Sequence, residues 1–356
     1  MATHVKAAPA GYRYYGDEDD IDALLRDIHA AVGAGFASVP TDSHRDAAPT
    51  TPVAVLRAPR SYGDDTAERD AVTIKTPPPE KRPQQEQCGS EYDADIDATL
   101  RAMERDPAER PSADYLAADT QAEEELIVAA RAHVVTLMYN FSGYYNLAPG
   151  TLHRAVSYVD CFLSASVAGG NLVLLGAVAV FTAAKYKDRS TTLALRADDV
   201  ARHVGCAARD VVAAERALFA ALGYRLSGPT AYTFVDHFTR HGQEEEGADD
   251  GSLLMLRTLA HHLADLALLD CRCGARFLPS AVAASAIALA RMAMVGSAAP
   301  PPWSEEEVKV TGYELEDLAG CMAMIYDIHK HPEAWPGCDH MMEDCKLIYA
   351  LPPLVF

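Results

Sequence analysis

Residues 171–187 read NLVLLGAVAVFTAAKYK, an apolar run that ends abruptly in Lys185, Tyr186 and Lys187. A helix apolar on nearly every side is a buried helix, with other helices packed around it. Glycine and alanine recur along it and let those neighbours approach closely. Its charged end has to emerge at a surface, so the functional question is what that end touches. The apolar part is about 14 residues, short of the ~20 that a membrane span needs, and the run at 278–299 is interrupted by Arg291. Neither is expected to cross a membrane.

Outward from this run the chain is a series of helical patterns. The spacing of apolar residues predicts helices near 121–143, 150–165, 170–187, 197–204 and 208–222. Thr151 and Asp198/Asp199 stand where N-caps are expected, and Gly223 where a helix would stop. Pro229 opens a second series at 230–242, 252–268, 279–294, 304–311 and 314–330. In both series the third helix is small and apolar (LLGAVAVFTAAKY and LPSAVAASAIALARM), and the fifth follows a short fourth. One unit used twice is the economical reading. The expected fold is all-α, two tandem five-helix bundles.

The remaining boundaries follow from composition. Residues 1–88 are Pro-rich and charged (TDSHRDAAPTTPV, TPPPEKRPQQEQ) and are expected to be mostly disordered. Residues 89–120 hold an N-terminal helix and linker, 121–228 the first bundle, 229–335 the second, and 336–356 a tail. Two segments share the pattern D-I-D-A-x-L-R: residues 17–31 (DEDDIDALLRDIHAA) and residues 91–104 (EYDADIDATLRAME). Each places apolar residues on one helical face, and each is too short to be stable alone, so each is expected to dock on something. Thr51-Pro52 and Thr76-Pro77 are read as turns rather than proline-directed phosphorylation sites.

The net charge of −20, about half of it in the first 120 residues, argues against nucleic acid or an anionic membrane as the main partner. The eight cysteines are scattered and no secretory signal precedes them, so reduced thiols inside a cell are expected. His329, His331, Cys338, His340 and Cys345 are metal-ligand types without a C-x-x-C knuckle, and Trp335-Pro336-Gly337 makes that segment read as a loose loop. No metal and no cofactor are expected. No Gly-rich phosphate loop, G-x-S-x-G elbow or H-E-x-x-H pattern is present, so an enzyme has nothing to stand on.

Residues 151–163, TLHRAVSYVDCFL, resemble the signature T-L-H-x-A-V-x-Y-x-D-x-F-L of the cyclin family. Arg131, the A-K-Y step at 184–186, Glu215, the P-T-x-x-x-F start at 229–234, FLPSAVAASA and TGYELEDL at 311–318 are similar to the matching stretches of A- and B-type cyclins. The resemblance spans roughly 91–335 in the right order and points to a divergent plant-type cyclin. It implies two five-helix cyclin boxes behind an N-terminal helix, and a non-catalytic subunit that binds and activates a cyclin-dependent protein kinase in cell-cycle control. A divergent cyclin-box scaffold, or a transcription-associated cyclin without conventional kinase activation, is the competing reading.

The resemblance also implies the site residues. Lys185 and Glu215 match the family's paired kinase contacts; by composition alone they would be an ordinary helix-end lysine and a surface glutamate. Tyr186, Phe219, Tyr224 and Leu226 match apolar contacts, with Ile96 and Leu100 from the N-terminal helix, although each could equally be core. Arg131 and Asp160 match a pair that joins the first two helices of the box. The groove for short docking motifs of substrates or inhibitors is where the chain departs. Where the family reads M-R-A-I-L-V-D-W, residues 130–137 read ARAHVVTL, so Ala130, His133, Val134 and Leu137 replace larger residues and Asn140 replaces a glutamate. A shallower, eroded groove is expected. No Arg is followed at the third position by Leu, and Lys81-Arg82 is too little for an import signal. An intracellular location, nucleus or cytoplasm, is all that the sequence supports.

Overall fold

In the computed structural model, the described residues are 86–117, 121–165, 171–187, 195–240, 250–295, 303–343 and 351. The first D-I-D-A-x-L-R segment, both Thr-Pro steps and Cys345 lie outside them. The described residues form thirteen α-helices, two short 3-10 turns and no strand.

Helix α1 is Glu86–Glu104. The first bundle is α2 (Gln121–Tyr144), α3 (Thr151–Ala165), α4 (Leu172–Lys187), α5 (Ala197–Val204) and α6 (Ala208–Ala221). The second is α7 (Ala231–Arg240), α8 (Asp250–Ala267), α10 (Pro279–Val295), α11 (Glu305–Thr311) and α12 (Leu315–Lys330). Two short helices escaped the periodicity because neither is long enough to show one: α9 (Cys271–Arg276), capped by the Asp270 carboxylate on the Arg272 N–H at 2.9 Å, and α13 (Cys338–Glu343).

The apolar runs are the axes of the two bundles. Around α4 pack α2, α3, α5 and α6, and around α10 pack α7, α8 and α12. The small residues do what was expected of them. A Cβ on Gly176 would stand 2.8 Å from Cγ1 of Val134, so α2 crosses α4 closer than any side chain there allows. In α10, Ala283, Ala284, Ala286 and Ala290 have no exposed surface.

Caps are partly as expected. Gly223, at φ +54°, ends α6, and the carboxylate of Asp199 receives the Arg196 N–H at 3.0 Å. Arg196 rather than Asp198 or Asp199 is therefore the N-cap of α5, with Asp199 at the third helical position.

The expected loose loop at 335–337 is instead packed structure. Trp335, Cys338, Met341 and Met342 are buried, and α13 rests against α2. Thr136 Oγ1 donates to the Pro336 carbonyl at 2.7 Å. At Gly337, φ +76°, a Cβ would lie 2.2 Å from Thr136 Cγ2, so only glycine lets the tail come this close.

Candidate functional site

Helix α4 is buried from Leu175 to Ala184, and Lys185 is the first residue after that stretch to reach solvent. The ammonium lies 4.0 Å from the ring centroid of Phe181, one turn back. It pairs with Oε1 of Glu215, which arrives from α6, and the same oxygen accepts from Thr182 Oγ1 at 3.1 Å. Lys185 is 30% exposed and Glu215 14%, so the pair sits at the rim of the bundle, half withdrawn from water. Glu215 Oε2 has no hydrogen-bond partner among the described residues. A carboxylate with a free oxygen beside a held ammonium can accept from and donate to the backbone of something that docks there.

The surroundings are apolar and exposed. Tyr186 is 49% exposed and lies over the Arg154 guanidinium, 4.9 Å from ring centroid to cation. Tyr224 is 76% exposed and its ring stacks on Phe219 with centroids 6.1 Å apart. It gets there through φ +62°, a left-handed backbone that costs a bulky side chain of order 1 kcal/mol. Leu226 is half-buried against the core. Arg154 holds this stretch from below, donating to the Leu226 and Gly228 carbonyls at 2.6 and 3.1 Å, and Tyr158 Oη adds a bond to Leu226 O at 2.8 Å. Burial pushes the Tyr158 phenol up to about 12, which keeps it a donor.

The structure thus brings Lys185, Glu215, Tyr186, Phe219, Tyr224 and Leu226 to one face. Ile96 and Leu100 come from α1, which is held against the second bundle: Ile96 is exposed, and Leu100 packs on the core. The Arg225–Asp106 pair, at 3.0 Å, ties the end of α1 to the same loop. Sequence reading missed Arg154, Tyr158 and Arg225. Arg154 stands inside the 151–163 signature at a position where any residue matches, so nothing in the pattern marked it.

Arg131 and Asp160 form a buried bidentate pair, Nε to Oδ1 at 2.8 Å and Nη2 to Oδ2 at 2.7 Å. The arginine reaches further than expected. Nη1 donates to the carbonyls of Leu268 and Leu269, at 2.6 and 3.3 Å, and Tyr115 Oη donates to Asp160 Oδ1 at 2.8 Å. The Arg131–Asp160 pair therefore joins α2 and α3 to Tyr115 before them and to the residues that follow α8.

On α2, the residues at the expected docking-groove positions are mostly withdrawn from solvent. Ala130 and Val134 are buried, at 0% and 2% exposure, and Val134 fills the space above Gly176. His133 and Leu137 are half-buried, and only Asn140 is exposed.

No group of three His, Cys, Asp or Glu among the described residues could hold a metal. The described cysteines are free thiols, and burial pushes Cys338 up to about 12 and Cys271 to about 11, which keeps them protonated. No helix among the described residues is long and apolar enough to cross a membrane.

Comparison with known proteins now adds to this geometry. The family model for the cyclin N-terminal domain matches residues 95–227, and that for the cyclin C-terminal domain residues 229–335. The chain is similar to Cyclin-F2-2 of Oryza sativa subsp. japonica, 46% identical over 66% of this chain and 51% of that protein. It is 34% identical to Cyclin-A3-2 of the same organism, over 67% of this chain and 60% of that one. With Cyclin-A3-3 of Arabidopsis thaliana the figures are 31%, 68% and 71%.

Proposed function

Because this chain belongs to the cyclin family, as a divergent plant cyclin with two cyclin boxes, we propose that it is the regulatory subunit of a cyclin-dependent protein kinase and acts in cell-cycle progression. The observation that carries this is the Lys185–Glu215 pair at the end of a rigid, buried α4, flanked by exposed Tyr186 and Tyr224.

The mechanism is selection of one kinase conformation. In a kinase the position of the C-helix controls the Lys–Glu ion pair that phosphoryl transfer needs. A partner surface that binds one position of that helix better shifts the population toward it by its differential affinity. On docking, Lys185 and Glu215 become desolvated and meet backbone groups of the partner helix, while Tyr186, Phe219 and Tyr224 cover apolar surface. Truncating one member of such a buried interfacial pair costs about 2–5 kcal/mol, or about 30-fold and upward in affinity. The burial of Ala130 and Val134 on α2 supports a second reading on one point only: short docking motifs are not recruited there, so substrates are chosen by the kinase or by other surfaces.

The test is co-expression with a panel of cyclin-dependent kinases, followed by co-purification and phosphorylation of a histone-type substrate. Wild type is expected to co-purify with and activate at least one of them. Lys185→Ala with Glu215→Ala is expected to abolish both while circular dichroism stays helical. Full affinity in that double variant would refute the site, and failure of wild type with every kinase would leave the scaffold reading standing instead.

A further inference from the structure

The socket that holds α1 has a chemistry of its own. Arg101 projects between three rings, its guanidinium 5.7 Å from Phe234, 5.3 Å from Phe238 and 5.7 Å from Tyr313. Its Nη2 donates to the Thr311 carbonyl at 2.6 Å. Asp97 accepts from Arg101 Nε at 3.3 Å and meets His237 Nε2 at 3.2 Å. Leu100 packs on the core between them. Further along, the buried Glu104 receives the Ser280 N–H at 3.0 Å and the Ser280 hydroxyl at 2.8 Å. Most helical stability in a protein comes from tertiary packing rather than propensity, so these contacts are what hold it.

Apart from Glu104, the residues that make them are Asp97, Leu100 and Arg101, three of the positions of the pattern D-I-D-A-x-L-R, which the chain carries twice. In residues 17–31 the same positions are Asp22, Leu25 and Arg26. The one position of the pattern that differs, Thr99 against Leu24, is exposed in α1 and touches nothing in the socket. We infer that residues 17–31 are a second ligand for the α1 socket of the second bundle, and that the two segments of one chain compete for it. The copies are not equal. His29 stands where Glu104 stands, so the first copy offers Ser280 no carboxylate, and α1 is the stronger occupant. Asp17 stands where the exposed Tyr92 stands. Exchange of the two would therefore turn an aromatic outer face into an acidic one. Tethering through residues 32–85 makes the competition intramolecular, at the high effective concentration of a linked site.

The experiment uses the full chain with Tyr313→p-benzoylphenylalanine, irradiated and mapped by mass spectrometry on the monomer band. Crosslinks are expected mainly to α1, with a minor share to residues 17–31. Leu100→Ala with Arg101→Ala should raise the ratio of 17–31 to α1 crosslinks by roughly tenfold or more, the effect of losing one charge-assisted hydrogen bond. Leu25→Ala with Arg26→Ala, in a chain whose α1 is untouched, should remove the minor share. Crosslinks that stay confined to α1 in the first variant would overturn the inference. So would 17–31 crosslinks that persist in the second, or that occur only between chains.

Discussion

Replacing Arg131 by methionine tests what holds the two boxes together. The side chain makes four hydrogen bonds, two to Asp160 and two to the carbonyls of Leu268 and Leu269, all out of water. Methionine fills most of the volume, so the loss is electrostatic. Among the described residues, Asp160 would keep only the Tyr115 hydroxyl as a donor. A carboxylate stranded in this way can take up a proton, which for an ordinary aspartate at pH 7 costs about 4 kcal/mol and so caps the damage. Two orphaned carbonyls add about 1–2 kcal/mol. The expected total is about 3–5 kcal/mol, the usual result of breaking a buried pair from one side. Urea unfolding followed by circular dichroism at 222 nm would read it (a standard helical wavelength, with about 1 kcal/mol resolved from the midpoint shift). Arg131→Met together with Asp160→Leu removes the stranded charge, so it should be more stable than Arg131→Met alone by about 2 kcal/mol. The deficit of the single variant should also shrink from pH 8 to about pH 5, because a protonated carboxyl is tolerated where a charged one is not. A loss below about 1 kcal/mol, or additive single and double effects, would refute this account.

Gly337→Ala should detach the tail, because its Cβ would overlap Thr136 and its backbone sits at φ +76°. The expected signs are a red-shifted emission from Trp335, now buried, and early proteolysis after residue 335; unchanged emission and resistance would count against the packed tail. His329 is the other sensitive point. Burial first, then the charges of Lys330 and His262, hold its imidazole down to about 4 from the usual 6.5. The unfolded chain therefore takes up a proton between about pH 6.5 and 4 that the folded chain refuses, and stability falls as pH falls through that window, on the order of 1–3 kcal/mol at the acid end. Melting temperatures of wild type and His329→Gln against pH would show it, since parallel curves would mean that His329 contributes nothing to acid sensitivity.

What was legible in the sequence was whatever periodicity and size encode. The apolar run ending in Lys185-Tyr186-Lys187 located α4, its repetition at 279–294 located α10, and the helix ends of both bundles came within a few residues of the structure. Short elements were not legible. Six residues of α9 or α13 cannot display a 3.6-residue period, and the buried Trp335, Met341 and Met342 look in sequence like any loop with scattered apolar residues. Contacts that cross from one box to the other were invisible for a different reason. Arg131 could be paired with Asp160 by its place in a known pattern, but its two bonds to Leu268 and Leu269 are to backbone carbonyls, which every residue possesses and no sequence marks.

The same distinction governs the site. Lys185 carries charge at the end of an apolar helix, and that contrast is readable, while Glu215, midway along α6, was legible only by its place in a known pattern; Arg154, which fixes the loop bearing Tyr224 and Leu226, spends its donors on carbonyls and is not. The α2 groove shows the converse. Its residue types were readable, but whether Ala130 and Val134 line a groove or sink beneath it depends on how near α4 comes, and Gly176 sets that distance. A groove is a property of two helices, so one helix's sequence could predict smaller residues there and not how deeply they sit. The surface proposed to meet a kinase differs because the exposed end of α4 follows from that helix's own burial. The docking surface proposed for Lys185 and Glu215 therefore rests on firmer physical ground than recruitment through α2.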